Sequence, residues 1–184
     1  MTRILLTITF ILIGIHMQGQ TIKERAIDAS IGYGISSTID FEDLYGSGLY
    51  LQSEYVLVYS KWLELRPYAG LILTSTNNDP GASEEFEVTT NALLFGGKAR
   101  LTAPIPWIAP YVELGFGGSV GKFTTITPLD NLEKNGVQYH IPLSIGVNLG
   151  PDRNFDIEFT YYFMPGINQY SGAAAIGISF PLKS

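Results

Sequence analysis

Residues 137–149, VQYHIPLSIGVNL, alternate without a break: Val137, Tyr139, Ile141, Leu143, Ile145, Val147 and Leu149 take the odd positions, and Gln138, His140, Pro142, Ser144, Gly146 and Asn148 the even ones. Successive side chains of a strand point to opposite faces of a sheet, whereas a helix would mix the two sets, so this stretch predicts one strand with a greasy face and a polar face. At ~3.4 Å per residue it runs about 40 Å. Strands of globular proteins are usually about five or six residues long. A strand that crosses a membrane at a tilt needs the greater length.

The same period-two test predicts eight strands, at about residues 26–36, 48–59, 62–74, 88–102, 109–121, 137–149, 154–163 and 172–182. Each has one apolar parity, with the contrast weakest in the second, fourth and eighth. The connections 60–61, 103–108 and 150–153 are short, while 37–47, 75–87, 122–136 and 164–171 are longer. In an up-and-down meander every second connection lies at the same end, so one rim is trimmed and the other carries the larger loops. Outer-membrane barrels have that asymmetry, with short periplasmic turns, long outer loops and, for an even strand number, both termini inside. The expected fold class is therefore all-β: an eight-stranded antiparallel up-and-down transmembrane β-barrel preceded by a signal peptide.

Periodicity does not say which face is inward, and a soluble lipocalin-like barrel would bury the greasy set. Composition decides it. The polar parity mixes Gly32, Gly34, Gly70, Gly96, Gly115, Gly117, Gly121, Gly146 and Gly177 with charged side chains, which suits a narrow interior where glycines make room for longer neighbours. The greasy parity holds Tyr33, Tyr55, Tyr59, Phe95, Phe116, Tyr139, Phe155, Phe159, Tyr161, Phe163 and Phe180, more rings than an eight-strand bore can take and easier to place against lipid.

The start of the chain supplies the route. Arg3 precedes the apolar run 4–15, and small or polar residues follow at 18–21, which reads as a secretory signal peptide over residues 1–19 and a barrel domain over 20–184. Its core is too short for a membrane-spanning helix. The net charge of −6 becomes −7 on cleavage, Arg3 being the only charged residue removed, and with no basic stripe this argues against nucleic acid. The chain has no Cys, which removes disulfide and thiolate-metal frameworks.

With the signal, the eight two-faced strands and the Gly-x-Gly segments Gly32-Tyr33-Gly34 and Gly115-Phe116-Gly117 in place, the chain resembles the small eight-stranded outer-membrane β-barrels of the OmpA-like superfamily, particularly the single-domain type frequent in Bacteroidota. The resemblance covers essentially all of the mature chain. It implies the outer membrane of a Gram-negative cell envelope, contact with outer-membrane lipids and lipopolysaccharide, and handling by the barrel insertion machinery.

With the polar parity inward, the bore receives a luminal polar network of Asp28, Glu54, Glu64, Arg66, Lys98, Arg100, Glu113, His140, Asp156 and Glu158. Ions away from bulk water are costly unless paired, so Arg66, Lys98 and Arg100 are each expected among carboxylates, notably Glu64, Glu113 and Glu158, and the network is expected to plug the bore. The competing reading is a gated, porin-like pore or proton path. Catalysis is not expected. Lipid A deacylases and palmitoyltransferases on similar barrels use a His and a Ser with an acidic partner, but His140 and Ser144, four residues apart on one strand, stand about 14 Å apart. Ser119 or Ser36 on another strand could still approach His140. The connections at the larger rim are acidic, with Asp40, Glu42, Asp43, Asp79, Glu84 and Glu85 as an acidic loop rim, read as a solvated edge that could also share divalent cations with lipopolysaccharide or receive a basic partner. No resident metal or cofactor is expected. The expected role is structural or binding, through the outer loops, toward an unidentified extracellular ligand and as a monomer; the alternatives are a lipid A-modifying enzyme and an accessory barrel of an envelope secretion system.

Overall fold

The computed structural model describes residues 22, 24–38, 45–76, 87–126, 131–167 and 169–182. Eight strands, β1 (Glu24–Thr38), β2 (Tyr45–Ser60), β3 (Leu63–Thr76), β4 (Glu87–Thr102), β5 (Ile108–Ile126), β6 (Asn131–Leu149), β7 (Phe155–Met164) and β8 (Gln169–Leu182), follow one another around a closed antiparallel barrel. Each pairs with its sequence neighbour, and β1 closes on β8 from Arg25↔Leu182 to Thr38↔Gln169. Closure leaves no edge along the wall itself, which is what hydrocarbon surroundings require, because an unpaired backbone N–H or C=O there costs several kcal/mol. Residues 1–19, read as a signal, lie outside the described residues.

The parity of the strands is the expected one. Phe155, Phe159 and Phe163 are 59, 57 and 43% exposed on the outer wall of β7, whereas Glu158 between them is 5% exposed. Ile31, Tyr33, Leu93, Phe95, Val112, Leu114, Phe116, Ile145, Ile176 and Phe180 continue that band around the barrel. Of two outward glycines, Gly118 lies under the Phe95 ring, whereas Gly97, in register with Phe116, faces open space.

β1, β2, β3 and β8 run two or three residues past the expected bounds, and one hairpin runs much further. Residues 122–126 and 131–136, read from sequence as part of a long connection, are paired strand, with Lys122↔Asn135, Thr124↔Glu133 and Ile126↔Asn131. The exposed residues there are Lys122, Asn131, Glu133 and Asn135, all polar, so apolar alternation stops at Val120 and Val137 although the ladder does not. A polar outer face of this kind needs water rather than hydrocarbon around it.

The other end has tight turns. The β2–β3 turn occupies 61–62, with a register shift between Val58 and Ser60. In the β6–β7 turn Gly150 takes φ +94°, a left-handed conformation that glycine adopts without a Cβ clash.

Candidate functional site

The inward side chains fill the bore in three storeys. The lowest, toward the tight turns, is ionic. Arg66 on β3 lies between three carboxylates: Nε meets Glu54 at 2.5 Å, Nη1 meets Glu64 at 2.7 Å, and Nη2 binds Asp28. Lys98, two residues from Arg100 on β4 and so on the same face, points Nζ at Glu54 (2.5 Å), Glu113 (2.6 Å) and Glu158 (3.5 Å). Arg100 donates Nε to Glu113 at 2.5 Å and Nη1 to Asn148 at 3.1 Å, with Asp156 and Glu158 at 3.4 and 3.6 Å from Nη2. Its guanidinium stacks 3.6 Å from the Tyr111 ring centre, and Tyr111 donates to Asp156 at 2.9 Å. Glu54, Glu113 and Glu158 bring carboxylate oxygens within 4.8 Å of one another, and Lys98 occupies the space they surround. Without it, three like charges would face each other in a poorly solvated site.

Glycines shape this storey, and the sequence reading of small beside large gains a specific form. A Cβ on Gly146 would fall 2.3 Å from the Tyr111 hydroxyl, and one on Gly115 would meet Lys98. Gly96 and Gly117 do the same for Tyr68 one level up.

The middle storey is neutral. Tyr50 and Tyr162 share a 2.8 Å hydroxyl contact, Tyr162 donates to Gln52 at 2.8 Å, and Gln52 Nε2 donates to Glu54 at 2.7 Å, which ties this layer to the ions below. His140 belongs here rather than in the ion network. Its Nδ1 is 2.6 Å from Ser119 Oγ and its Nε2 is hydrogen-bonded with the Tyr68 hydroxyl; among the described residues no carboxylate touches it. Ser144 bonds to Thr160 instead, and Ser36 to Ser171.

The uppermost storey was not read from the sequence. Ile72, Ala92, Leu94, Phe123, Met164 and Ile167 form an apolar cluster across the bore, each 3% exposed or less. Beside it Ser36, Thr74, Thr90, Ser171 and Gln169 are linked hydroxyl to hydroxyl and amide to hydroxyl across the barrel, with contacts of 3.0–3.2 Å.

The two ends of the bore differ in access. A cavity of about 680 Å³ opens at the tight-turn end and reaches Asp28, Glu64 and Arg66, with Arg25, Lys61 and Arg153 at its mouth. Asp28, Glu64 and Asp156 keep 15–18% of their side-chain exposure there, whereas Lys98 and Glu113 have none. Water thus enters from below as far as the outermost carboxylates. The acidic rim residues Asp40, Glu42, Asp43, Asp79, Glu84 and Glu85 lie outside the described residues.

No protein-family model matches the chain, and no curated protein matches it. Solved structures do. The chain is similar to the surface protein A of Neisseria, with 11% identity, a TM-score of 0.57, and 85% of this chain covering 96% of that one. It is also similar to Ail, the attachment invasion locus protein of Yersinia pestis (16% identity, 86 and 99% covered, TM-score 0.48), and to the N-terminal β-barrel domain of OprF from Pseudomonas aeruginosa (15%, 84 and 97%, TM-score 0.47). The fold is that of the small eight-stranded outer-membrane barrels. Identity at this level speaks for the fold and not for an activity, which depends on the site rather than the scaffold.

Proposed function

We propose that the protein is an outer-membrane barrel of the OmpA-like, Bacteroidota-type group, exported by a signal over residues 1–19, with a plugged lumen and a structural or binding role exercised at the outer rim. The observation that carries this reading is the pairing of a continuous lipid-type outer wall with a bore filled from wall to wall: such a molecule presents only its two ends to solutes. The tight-turn end faces the periplasm and the β5–β6 end faces the medium, as in barrels of this type. The test is migration on a gel with and without heating, made on the outer-membrane fraction of the native cell. A folded barrel runs faster unheated and shifts when boiled; recovery in the soluble fraction, or no shift, overturns the reading.

The second reading, a lipid-modifying enzyme, has one observation in its favour, the Ser119–His140 contact at 2.6 Å. A nucleophile needs a base, an oriented base and a route for substrate. Here both residues are fully buried, the second imidazole nitrogen is taken by Tyr68, and the pair faces the bore rather than the lipid. We therefore propose a non-catalytic protein. Unchanged acyl chains of lipid A in a strain carrying Ser119→Ala would agree with that; altered chains would restore the enzyme.

A further inference from the structure

The open cavity at the tight-turn end has two unlike sides. On one, the strand register sets Pro181, Ala26 and Val56 in a row across β8, β1 and β2, two residues nearer the mouth than the row of Ser179, Asp28 and Glu54. Val58, the next inward residue of β2, is in register with Glu64 on β3. Ala26, Val56, Val58 and Pro181 all border the cavity. Inward positions therefore turn apolar where the bore opens, although contact with water alone would favour polar side chains there.

The other side is ionic and incompletely paired. Among the described residues the Glu64 carboxylate meets only Arg66, through one oxygen at 2.7 Å, and it keeps 18% of its side-chain exposure. Asp28, by contrast, has both oxygens engaged, one by Arg66 and one by the Ser179 hydroxyl. Arg66 does not belong to Glu64 alone, since it also serves Glu54 and Asp28. The lowest storey as described sets six carboxylates, Asp28, Glu54, Glu64, Glu113, Asp156 and Glu158, against the three cations Arg66, Lys98 and Arg100. At the mouth the charges nearly cancel, with Arg25, Lys61 and Arg153 against Glu24 and Asp152. The excess negative charge thus lies inside, beside the apolar row.

We propose that this cavity binds a short apolar peptide by its free amino terminus, with the ammonium on the open oxygen of Glu64 and the apolar side chains along Ala26, Val56 and Val58. A single acceptor oxygen suits an ammonium better than a guanidinium, whose fork is matched by two. The volume, about 680 Å³, is that of a small-molecule pocket. From Glu24 to Asp28, both at the cavity, β1 runs about 13 Å, the reach of an extended peptide of roughly three or four residues. This is a binding site apart from the outer rim. That its ligand comes from the periplasm rests on the orientation proposed above; binding to the isolated protein does not.

The experiment follows the methyl resonances of Val56 and Val58 in the folded protein in detergent micelles, on addition of a C-terminally amidated tripeptide of alanine, valine and alanine with a free amino group. The shifts should saturate. Acetylating the peptide's amino group, or Glu64→Gln in the protein, should each weaken binding by about tenfold or more, the value of one charged hydrogen bond. Glu64→Gln leaves Arg66 its bonds to Glu54 and Asp28, and the gel shift on heating checks that it folds. Serine in place of the peptide's valine should weaken binding by about threefold or more. Equal binding of the acetylated peptide or of the serine peptide would overturn the inference. So would shifts confined to the outward Val112 and Val120, the mark of a peptide dissolved in the micelle, or the absence of saturable shifts. A separate arm tests the side of access: Lys61→Cys in this cysteine-free chain should react with a polyethylene-glycol maleimide too large for porins only after lysis. Reaction on intact cells would overturn the periplasmic source whatever the binding data show.

Discussion

The lowest and uppermost storeys of the bore use the same inward parity of the same closed wall and fill it in opposite ways. Below, Arg66, Lys98 and Arg100 hold carboxylates from β1, β2, β3, β5 and β7. Above, Ile72, Leu94, Phe123 and Met164 close the bore as a small hydrophobic core. The ionic storey borders an open cavity that leaves its outer members partly exposed; the apolar one sits at the end where β5 and β6 rise beyond the wall. Each storey closes the bore, the upper one with apolar side chains and the lower one with Lys98 and Glu113, neither of which has any exposure, while the ions also tie the strands together near the open end.

The largest effect should come from Lys98→Met. It leaves Glu54, Glu113 and Glu158 facing one another, and removing one partner from a buried ion pair costs about 3–5 kcal/mol. Urea unfolding followed by Trp62 and Trp107 fluorescence reads the loss directly. Glu158→Gln, by contrast, leaves each cation another carboxylate and should cost no more than about 1 kcal/mol. Equal losses would show that the storey is not organised around its cations.

In the upper storey, Phe123→Ala should cost about 3 kcal/mol, the low end for truncating a buried ring, because the rim around it has room to settle. A loss near zero would mean that Phe123 covers the bore without packing into it.

How much of this was legible depended on whether two faces differed chemically. The eight strands followed from alternation and the inward side from the composition of the two parities, since one side of the wall meets lipid. The greasy upper storey did not. Ile72 lies between Leu71 and Leu73, and Leu94 between Leu93 and Phe95, so alternation goes silent where both faces are apolar. Phe123 and the hairpin above Val120 were missed for the opposite reason, both faces there being mostly polar. A short LIL or LLF run inside an otherwise alternating strand was the one available signal that an inward position had turned greasy. The ionic residues were visible as inward charges and Ser119 as a neighbour within reach of His140, but the sequence did not say that His140 would stand apart from the ions or bond to Tyr68.

A smaller effect separates wall from bore. Gly117→Ala forces a Cβ to 2.5 Å from the Phe95 carbonyl and closer still to the Tyr68 hydroxyl, and should cost about 1–3 kcal/mol. Gly97→Ala, outward with nothing within 4 Å, should stay within about 0.5 kcal/mol. Differential scanning of the refolded variants distinguishes them. Smallest of all, Lys122→Gln breaks only a solvent-screened pair with Glu133, and the unfolding midpoint should not move.

The account rests on a bore filled along its whole length, and current across a planar bilayer tests that most directly. The purified protein should be silent, and so should Glu158→Gln and the double variant Ile72→Ser with Phe123→Ser, each of which leaves the other storeys in place. Steady discrete conductance steps from the unaltered protein would contradict it.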